Sequence, residues 1–466
     1  MTTPTPQGSP EHKKPHVLIV GAGLAGLLLG ILLDRQGVSY EIFERSSKVK
    51  PLGAVMSLNA NVLPAIEQLG LLDALKAVSF PSRGFHIYSS DMKLISAVGS
   101  TDDTLLEKVG YDYQLFARFK FYDILLSHIA PEKIHFNKKI TSISQDDKSA
   151  TITCDDGTTY SGDILVGADG TYSAVRQGLY QQMQEENLLP DSDTKSMSKG
   201  YICLVGTTDP MDPEKYPVLK NDASILYQVI GEGTQYTWSA VIAPENRICW
   251  NAVLQLTASQ EDNIQNAEWG PEANESMIKE VRDFKVPIGG TLGDLIDSTP
   301  KETISRVFLE DKIFETWSHN RVVLIGDACH KVIYVLNGLL PSAGQGAVNA
   351  MQDSVILANC IYDLESLSTK DISAALKDYR DQRFPYVIEQ YEASKLNAKI
   401  IYGQTFLDRL IRKVVLNYMP KSIQAKSAMK NLAYRPQATF LPLAPKHGTS
   451  PVLPQKPSKR YQAIVV

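Results

Sequence analysis

RVVLIGDACHKVIYVLNGLLPSAGQGAVNAMQDSVILANCIYDL, residues Arg321 to Leu364, is the stretch whose reading decides the fold. An apolar run, Val322 to Ile325, ends in Gly326-Asp327. A glycine-flanked turn (Gly344, Gln345, Gly346) then opens a segment with apolar residues at 347, 348, 351, 355, 358 and 361. That pattern predicts strand, loop and helix. A carboxylate fixed at a strand end faces sugar hydroxyls, and free backbone N–H groups at a helix start suit an anionic or electron-rich ligand edge. The stretch therefore supplies half of a nucleotide-cofactor site, and the other half must come from elsewhere in the chain.

The counterpart lies at the other end, in HVLIVGAGLAGLLLGILLDRQGVSYEIFER, His16 to Arg45. A short buried-strand run, His16 to Val20, meets Gly21, Gly23 and Gly26 in a GxGxxG pattern, and the helix that follows is apolar nearly all round. Each glycine answers a separate need: a tight turn, close approach of backbone to a pyrophosphate, and close packing of helix on strand. Glu44, with Arg45 beside it, closes the next apolar strand eighteen residues beyond Gly26, where a carboxylate reaches ribose hydroxyls. Gly53-Ala54 is a further place where backbone can approach a ligand, and Asn61 to Leu69 is a helix ending at Gly70. Arg118 leads an amphipathic helix, as either a phosphate contact or a solvated helix-end charge.

A third strand-end carboxylate, Asp169, follows the buried strand of DILVGADGTYSAVR, with Gly170, Ser173 and Arg176 after it. Three such motifs exceed what one mononucleotide unit requires, so the chain leaves one sheet and returns to it. This predicts an α/β, Rossmann-like cofactor domain that is discontinuous, formed by residues 15–190 and 303–400. The excursion, 191–302, reads as a β-rich substrate domain built on YICLVGTT, ASILYQVI, QYTWSAVIA and RICWNAVLQL. Tyr236, Trp238 and Trp250 either line a pocket or form core, and aromatics on strands more often form core.

The ends carry less. Residues 1–14 are polar and proline-rich without an apolar signal segment, and read as a flexible leader. After Leu364 a helical region is expected to break near Pro385. Residues 401–466 read as a C-terminal helix and an extended tail from Arg435, and the apolar and basic stretch at 400–420 either packs as an amphipathic helix or touches a membrane surface weakly. With 466 residues, 43% hydrophobic and 21% charged, a large core is available, and a net charge of −5 leaves no nucleic-acid footprint. The five cysteines form no CxxC pair, which argues against a disulfide framework or a zinc site and points to a reducing, cytoplasmic setting. No apolar run reaches the ~18–20 residues of a membrane span.

GAGLAG with EIFER, GADGTYSAVR, and RVVLIGDACH with PSAGQGAVNAMQDSVILA together resemble the single-component FAD-dependent, aromatic-hydroxylase-like monooxygenases, and more nearly the fungal-type FAD monooxygenases and epoxidases of secondary metabolism. The resemblance spans roughly residues 16–400. It implies that Gly21, Gly23 and Gly26 hold the FAD pyrophosphate and Glu44 the adenosine ribose. It further implies that Arg118 contacts FAD, that Asp169 and Gly170 belong to a motif for FAD and NAD(P)H, that Asp327 binds the ribityl and pyrophosphate region, and that Gly344 to Ala347 approach the isoalloxazine ring. The implied reaction hydroxylates or epoxidises an aromatic or alkene-bearing small molecule: transiently bound NAD(P)H reduces the flavin, O₂ adds to give a C4a-hydroperoxide, and the distal oxygen passes to the substrate. The chemistry belongs mostly to the cofactor, so no acid or base is nominated as catalytic, and no metal is expected. His330 reads as structural more readily than as a proton shuttle.

One departure stands out. The family's loop runs His-x-x-x-Pro-x-x-Gly-Gln-Gly, whereas His330 and Pro341 are eleven residues apart, and removing Val332 to Gly338 restores the pattern as HKLLPSAGQG. The alternatives that follow are an FAD-dependent reductase of isoprenoid double bonds, or an FAD-fold protein impaired in catalysis by the insert. A flavin halogenase lacks its Trp-x-Trp signature here, since Trp238, Trp250, Trp269 and Trp317 are never two apart.

Overall fold

His16–Val20 (β1) is buried almost throughout, and a strand covered on both faces needs helices above and below its sheet. The computed structural model, which describes residues 13–48, 55–99, 107–257, 271–332, 345–403, 405–418 and 420–461, shows how the chain provides them. From β1 the order is α1 (Leu24–Gln36), β2 (Ser39–Phe43), β3 (Val55–Leu58), α2 (Leu63–Gln68), β4 (Phe80–Ser89), β5 (Leu94–Gly99), β6 (Tyr113–Ala117) and α3 (Arg118–Leu126). Next come β7 (Ile134–His135), β8 (Ile140–Gln145), β9 (Ala150–Cys154), β10 (Thr159–Gly162), β11 (Ile164–Gly167) and α4 (Ala174–Glu185). The middle holds β12 (Ser198–Thr207), β13 (Ser224–Ile230), β14 (Tyr236–Ala243), β15 (Arg247–Gln255), α5 (Pro271–Val281) and α6 (Leu292–Asp297). The chain closes with β16 (Ser305–Ile313), β17 (Ser318–His319), β18 (Val322–Leu324), β19 (His330–Lys331), α7 (Gln345–Tyr362), α8 (Thr369–Tyr402), α9 (Phe406–Tyr418) and α10 (Lys421–Asn431).

The first sheet has the order β17-β18-β11-β1-β2-β7, parallel except for β17. Its members come from residues 16–43, 134–167 and 318–324, so the chain leaves this sheet and returns to it. Parallel pairing puts the carboxyl ends of β1, β2, β11 and β18 along one edge. Arg321, buried before β18, donates to the carbonyls of Asp146, Asp147, Asp163 and Leu367 and ties the β8–β9 turn to the opposite, amino edge.

The second sheet reaches well beyond the 191–302 excursion. Its order is β19-β16-β12-β15-β14-β13-β4-β6-β3, with β5 on β4. Strands from residues 55–117 thus complete it on one side and β16 on the other. The joint is the parallel pairing of β4 with β13, in which Phe85 lies beside Leu226 and Ile87 beside Gln228. Such a pairing between distant segments leaves no local trace in sequence. One face packs under α5 and α6, with Trp238, Trp250, Val281 and Leu295 buried together, so these tryptophans are core. The opposite face receives the end of α8, where Ala398, Ile401 and Tyr402 join Phe85, Leu226 and Val253.

One expectation about the C-terminal region is corrected, and two are made more specific. Helix α8 runs unbroken from Thr369 to Tyr402 with Pro385 inside it. The hydrogen bond lost at proline is offset by the flanking side chains: Arg383 and Val387 have no exposed surface, and Phe384 packs edge-on to Trp317. The tail from Arg435 is extended but docked. Arg435 is buried and donates to Leu432 O, Val109 O and Ser450 Oγ, while Asn61, Gln68 and Asn359 bind main-chain groups of residues 431–442. Its prolines forbid helix and strand, not burial. Helix α9, finally, turns its apolar stripe outward rather than onto the body.

Candidate active site

Gly21, Glu44, Asp169 and Asp327 each follow directly on, or within three residues of, a strand that ends at the same edge, and all four line one cleft of about 1550 Å³. The cleft lies outside the carboxyl ends of a parallel sheet, where open α/β sheets bind ligands. Small-ligand pockets usually span ~300–1,000 Å³, so there is room here for something longer.

The glycines divide the work as their spacing suggests. Gly21 has φ of +106°, and a Cβ there would meet Ala168 O at 2.4 Å. A Cβ on Gly26 would meet Gly21 O at 2.0 Å, so that glycine serves the packing of α1 on the turn. A Cβ on Gly23 would meet nothing within 4 Å, and the residue lines the cleft. No side chain caps α1 at Gly23. A bare backbone cradle at an uncapped helix start fits a pyrophosphate.

Glu44 braces this turn: its Oε2 accepts from Ala22 N at 3.0 Å and its Oε1 from Ser46 N at 2.9 Å. Arg45 and Arg118 are exposed on the cleft wall, Arg118 as the first residue of α3. Asp169 caps α4 through Oδ2, which accepts from Ala174 N at 2.7 Å and Val175 N at 3.3 Å. Its Oδ1 and the hydroxyl of Tyr122 are buried without a hydrogen-bond partner, and both residues line the cleft. Burial pushes the Asp169 carboxyl above its ordinary pKa although Ser173 and the α4 amides oppose the shift. Burial likewise pushes the Tyr122 hydroxyl up to about 12, with Glu44 adding to it.

Asp327 is held by residues that the sequence did not announce. Its Oδ2 accepts from Lys331 Nζ at 2.5 Å and from Thr171 Oγ1 at 3.3 Å. Burial works to raise its pKa, but Lys331, His330 and Arg118 outweigh it and keep the carboxylate below the ordinary value. Arg176 joins the two acidic loops, donating to Thr171 O at 2.7 Å and Ala328 O at 2.9 Å over the face of Phe314.

Behind the Gly326-Asp327 turn lies a fully buried charge network. Asp353, in the middle of α7, accepts from Gly326 N at 2.8 Å and contacts His330 Nε2 at 2.6 Å through Oδ2, and accepts from Arg383 Nε at 2.7 Å through Oδ1. Arg383 also reaches Asn349 Oδ1 and lies 5.3 Å from the Tyr434 ring. Burial opposes ionisation of Asp353, but His330 and Arg383 prevail and lower its pKa. The donor atoms of Cys329, His330 and Asp353 fall within 4.8 Å of one another. Arg383 already supplies the positive charge there, so the group is a support for the turn. Asp353, the single charged residue of α7, was the sequence signal of this network, because Arg383 and Tyr434 are too distant for any local pattern.

Of the remaining expected residues, Gly170, Gly346 and Ala347 line the cleft, and Gln345 is the first residue of α7. Gly53, Ala54, Gly344 and residues 333–338 of the insert lie outside the described residues, as does most of the leader.

Comparison with known proteins agrees with this geometry. A family model described as an FAD binding domain matches residues 14–393. The FAD-dependent monooxygenase ptmM of Penicillium ochrochloron is 30% identical over 403 residues, 82% of this chain and 88% of the relative. The chain belongs to the FAD-dependent monooxygenases. A second member, atmM of Aspergillus flavus, is 27% identical over 445 residues, 93% of this chain and 88% of the relative. The monooxygenase shares its fold with HpxO of Klebsiella pneumoniae, solved with FAD and uric acid, at a TM-score of 0.70 and 20% identity across 90% of this chain and 97% of that one. FAD is the cofactor of the family, and the bare cradle at Gly23 and the orphaned polar atoms of Tyr122 and Asp169 suit such a ligand. Among the described residues no helix of this monooxygenase is long and apolar enough to cross a membrane.

Proposed function

We propose that the chain uses NAD(P)H and O₂ to hydroxylate or epoxidise an aromatic or alkene-bearing small molecule, with one oxygen atom entering the product and the other leaving as water. The observation that carries this reading is the convergence of Gly21, Gly23, Glu44, Asp169 and Asp327 on one cleft at the carboxyl edge of the parallel sheet. When bound, FAD takes a hydride equivalent from NAD(P)H and activates O₂ for transfer.

The chain's own residues bind and orient. Gly21, Gly23 and the start of α1 take the pyrophosphate while Gly26 packs α1 against the turn, Glu44 with Arg45 takes the adenosine side, and Arg118 faces the cofactor from across the cleft. Asp169 with Gly170 and Asp327 hold the span between, while Gln345, Gly346 and Ala347 stand at the ring end, with Gly344 assigned there on resemblance alone and Gly53-Ala54 assigned from sequence as a backbone approach to the ligand. The organic substrate lies against the sheet face opposite α5 and α6. Gln228, Ser239 and Asn251 stand in register across β13, β14 and β15 on that face, and Gln228 Oε1 and Asn251 Oδ1 are buried acceptors without partners. Unpaired buried acceptors favour a substrate that carries a hydrogen-bond donor.

The test is spectroscopic and kinetic. The purified chain should bind FAD, turn yellow and oxidise NAD(P)H only with O₂ and substrate present; turnover without O₂ would sink the oxygenase reading. Asp327→Ala should weaken FAD binding by ~1–3 kcal/mol through the lost buried hydrogen bonds, and an unchanged FAD titration would remove Asp327 from the site. A version lacking Val332 to Gly338, assayed in parallel, separates FAD binding from catalytic competence.

A further inference from the structure

Helix α9 has its sides reversed. Phe406, Leu407, Leu410, Ile411 and Val414 are exposed, Phe406 to 84% and Leu407 to 57%. At about 100° per residue they cover one continuous stripe of the helix. The opposite side carries Asp408 and Arg412, which are buried against the body. Asp408 caps its own helix, exchanging hydrogen bonds with Thr405. Arg412 donates to the carbonyls of Ile401 and Gly403, closing the end of α8. Because those charges are spent inward, the stripe is fixed outward, and an exposed apolar surface of this kind marks an interaction site.

The charge around the stripe selects the partner. Residues 405–431 contain Arg409, Arg412, Lys413, Lys421, Lys426 and Lys430 against the single acid Asp408, in a chain whose net charge is −5. Arg409 and Lys413 are exposed and fall along one margin of the stripe. Helix α9 packs beside β5, whose Leu94 is also exposed. A convex apolar strip rimmed by cations is the form of a helix that lies in the plane of a membrane interface, its apolar side among acyl chains and its cations at anionic headgroups.

We propose that α9 docks the enzyme on an anionic lipid surface, with Phe406, Leu407, Leu410, Ile411 and Val414 inserted and Arg409 and Lys413 at the headgroups. The contact is peripheral, since the helix is amphipathic and has only thirteen residues.

The experiment is co-sedimentation of the full chain, loaded with FAD, with vesicles of phosphatidylcholine alone or mixed with phosphatidylserine. Binding is expected to the mixed vesicles, weakening as salt is added. Leu407→Ser/Leu410→Ser/Val414→Ser should lower the partition coefficient on the order of tenfold or more, with FAD content and melting temperature unchanged because the side chains are exposed. Arg409→Glu/Lys413→Glu should lower binding to the mixed vesicles and leave any binding to phosphatidylcholine alone as it was. No binding to either vesicle, or binding unaffected by both variants, overturns the proposal. So does a dimer in solution that the serine variant dissociates, which would assign the stripe to a second copy of the chain.

Discussion

A methyl group added at Gly26 would meet a carbonyl oxygen at 2.0 Å, whereas one added at Gly23 would meet nothing within 4 Å. The two positions therefore separate folding from cofactor binding. Gly26→Ala is expected to destabilise the chain by ~1–3 kcal/mol through overpacking. Gly23→Ala should leave the flavin-free melting temperature alone and weaken FAD binding on the order of tenfold, about 1.4 kcal/mol; flavin-free melting curves and FAD titrations of both variants check this. Asp353→Asn is expected to cost ~3–5 kcal/mol, because Arg383 would remain buried without its counter-charge; urea unfolding measures it. At this scale the sequence was informative wherever the chemistry was local. The glycines, Glu44 and Asp327 announce themselves by spacing from a strand end. Arg383, which neutralises Asp353 from thirty positions away, is set by tertiary approach and leaves no periodic trace, whereas Lys331, which neutralises Asp327, stands only four residues beyond it.

The elements show the same division. Strands β1, β11 and β18 were legible as apolar runs ending in glycine and acid, and β12 to β15 as aromatic-rich strands. The break expected in α8 failed because the flanking side chains of Pro385 are anchored in the core. The tail is extended, as its composition predicts, but composition reports whether a segment can build helix or strand, not whether the fold offers it a groove. Phe440, buried beside Tyr362 in that tail, makes the point testable. Phe440→Ala is expected to cost about 3 kcal/mol and to speed proteolysis after residue 432. A melting temperature equal to that of the parent chain would show the strap to be dispensable.

For the whole molecule, the buried carboxylates set the response to acid. Asp353 and Asp327 have folded-state pKa values below the ordinary carboxylate value. A depressed value means that their contribution to stability is complete above ~3.9, the unfolded carboxylate pKa, and is lost as pH falls through the folded values. Asp169 has the opposite sign: its raised value means that its charge weakens the fold at neutral pH, and protonation removes that penalty. Melting temperature should therefore rise through Asp169 as pH falls from neutral toward the ordinary carboxylate range and drop below it, and Asp353→Asn should flatten the drop. What no sequence reading reached at this scale is the large sheet, since the pairing of β4 with β13 joins residues 141 positions apart, as between Phe85 and Leu226. The docked tail has a further effect. Asn61, Gln68 and Asn359 complete their hydrogen bonds only with main-chain groups of residues 431–442. During synthesis the segment carrying Asn61 and Gln68 therefore waits for partners made 370 positions later, and stays exposed until they emerge.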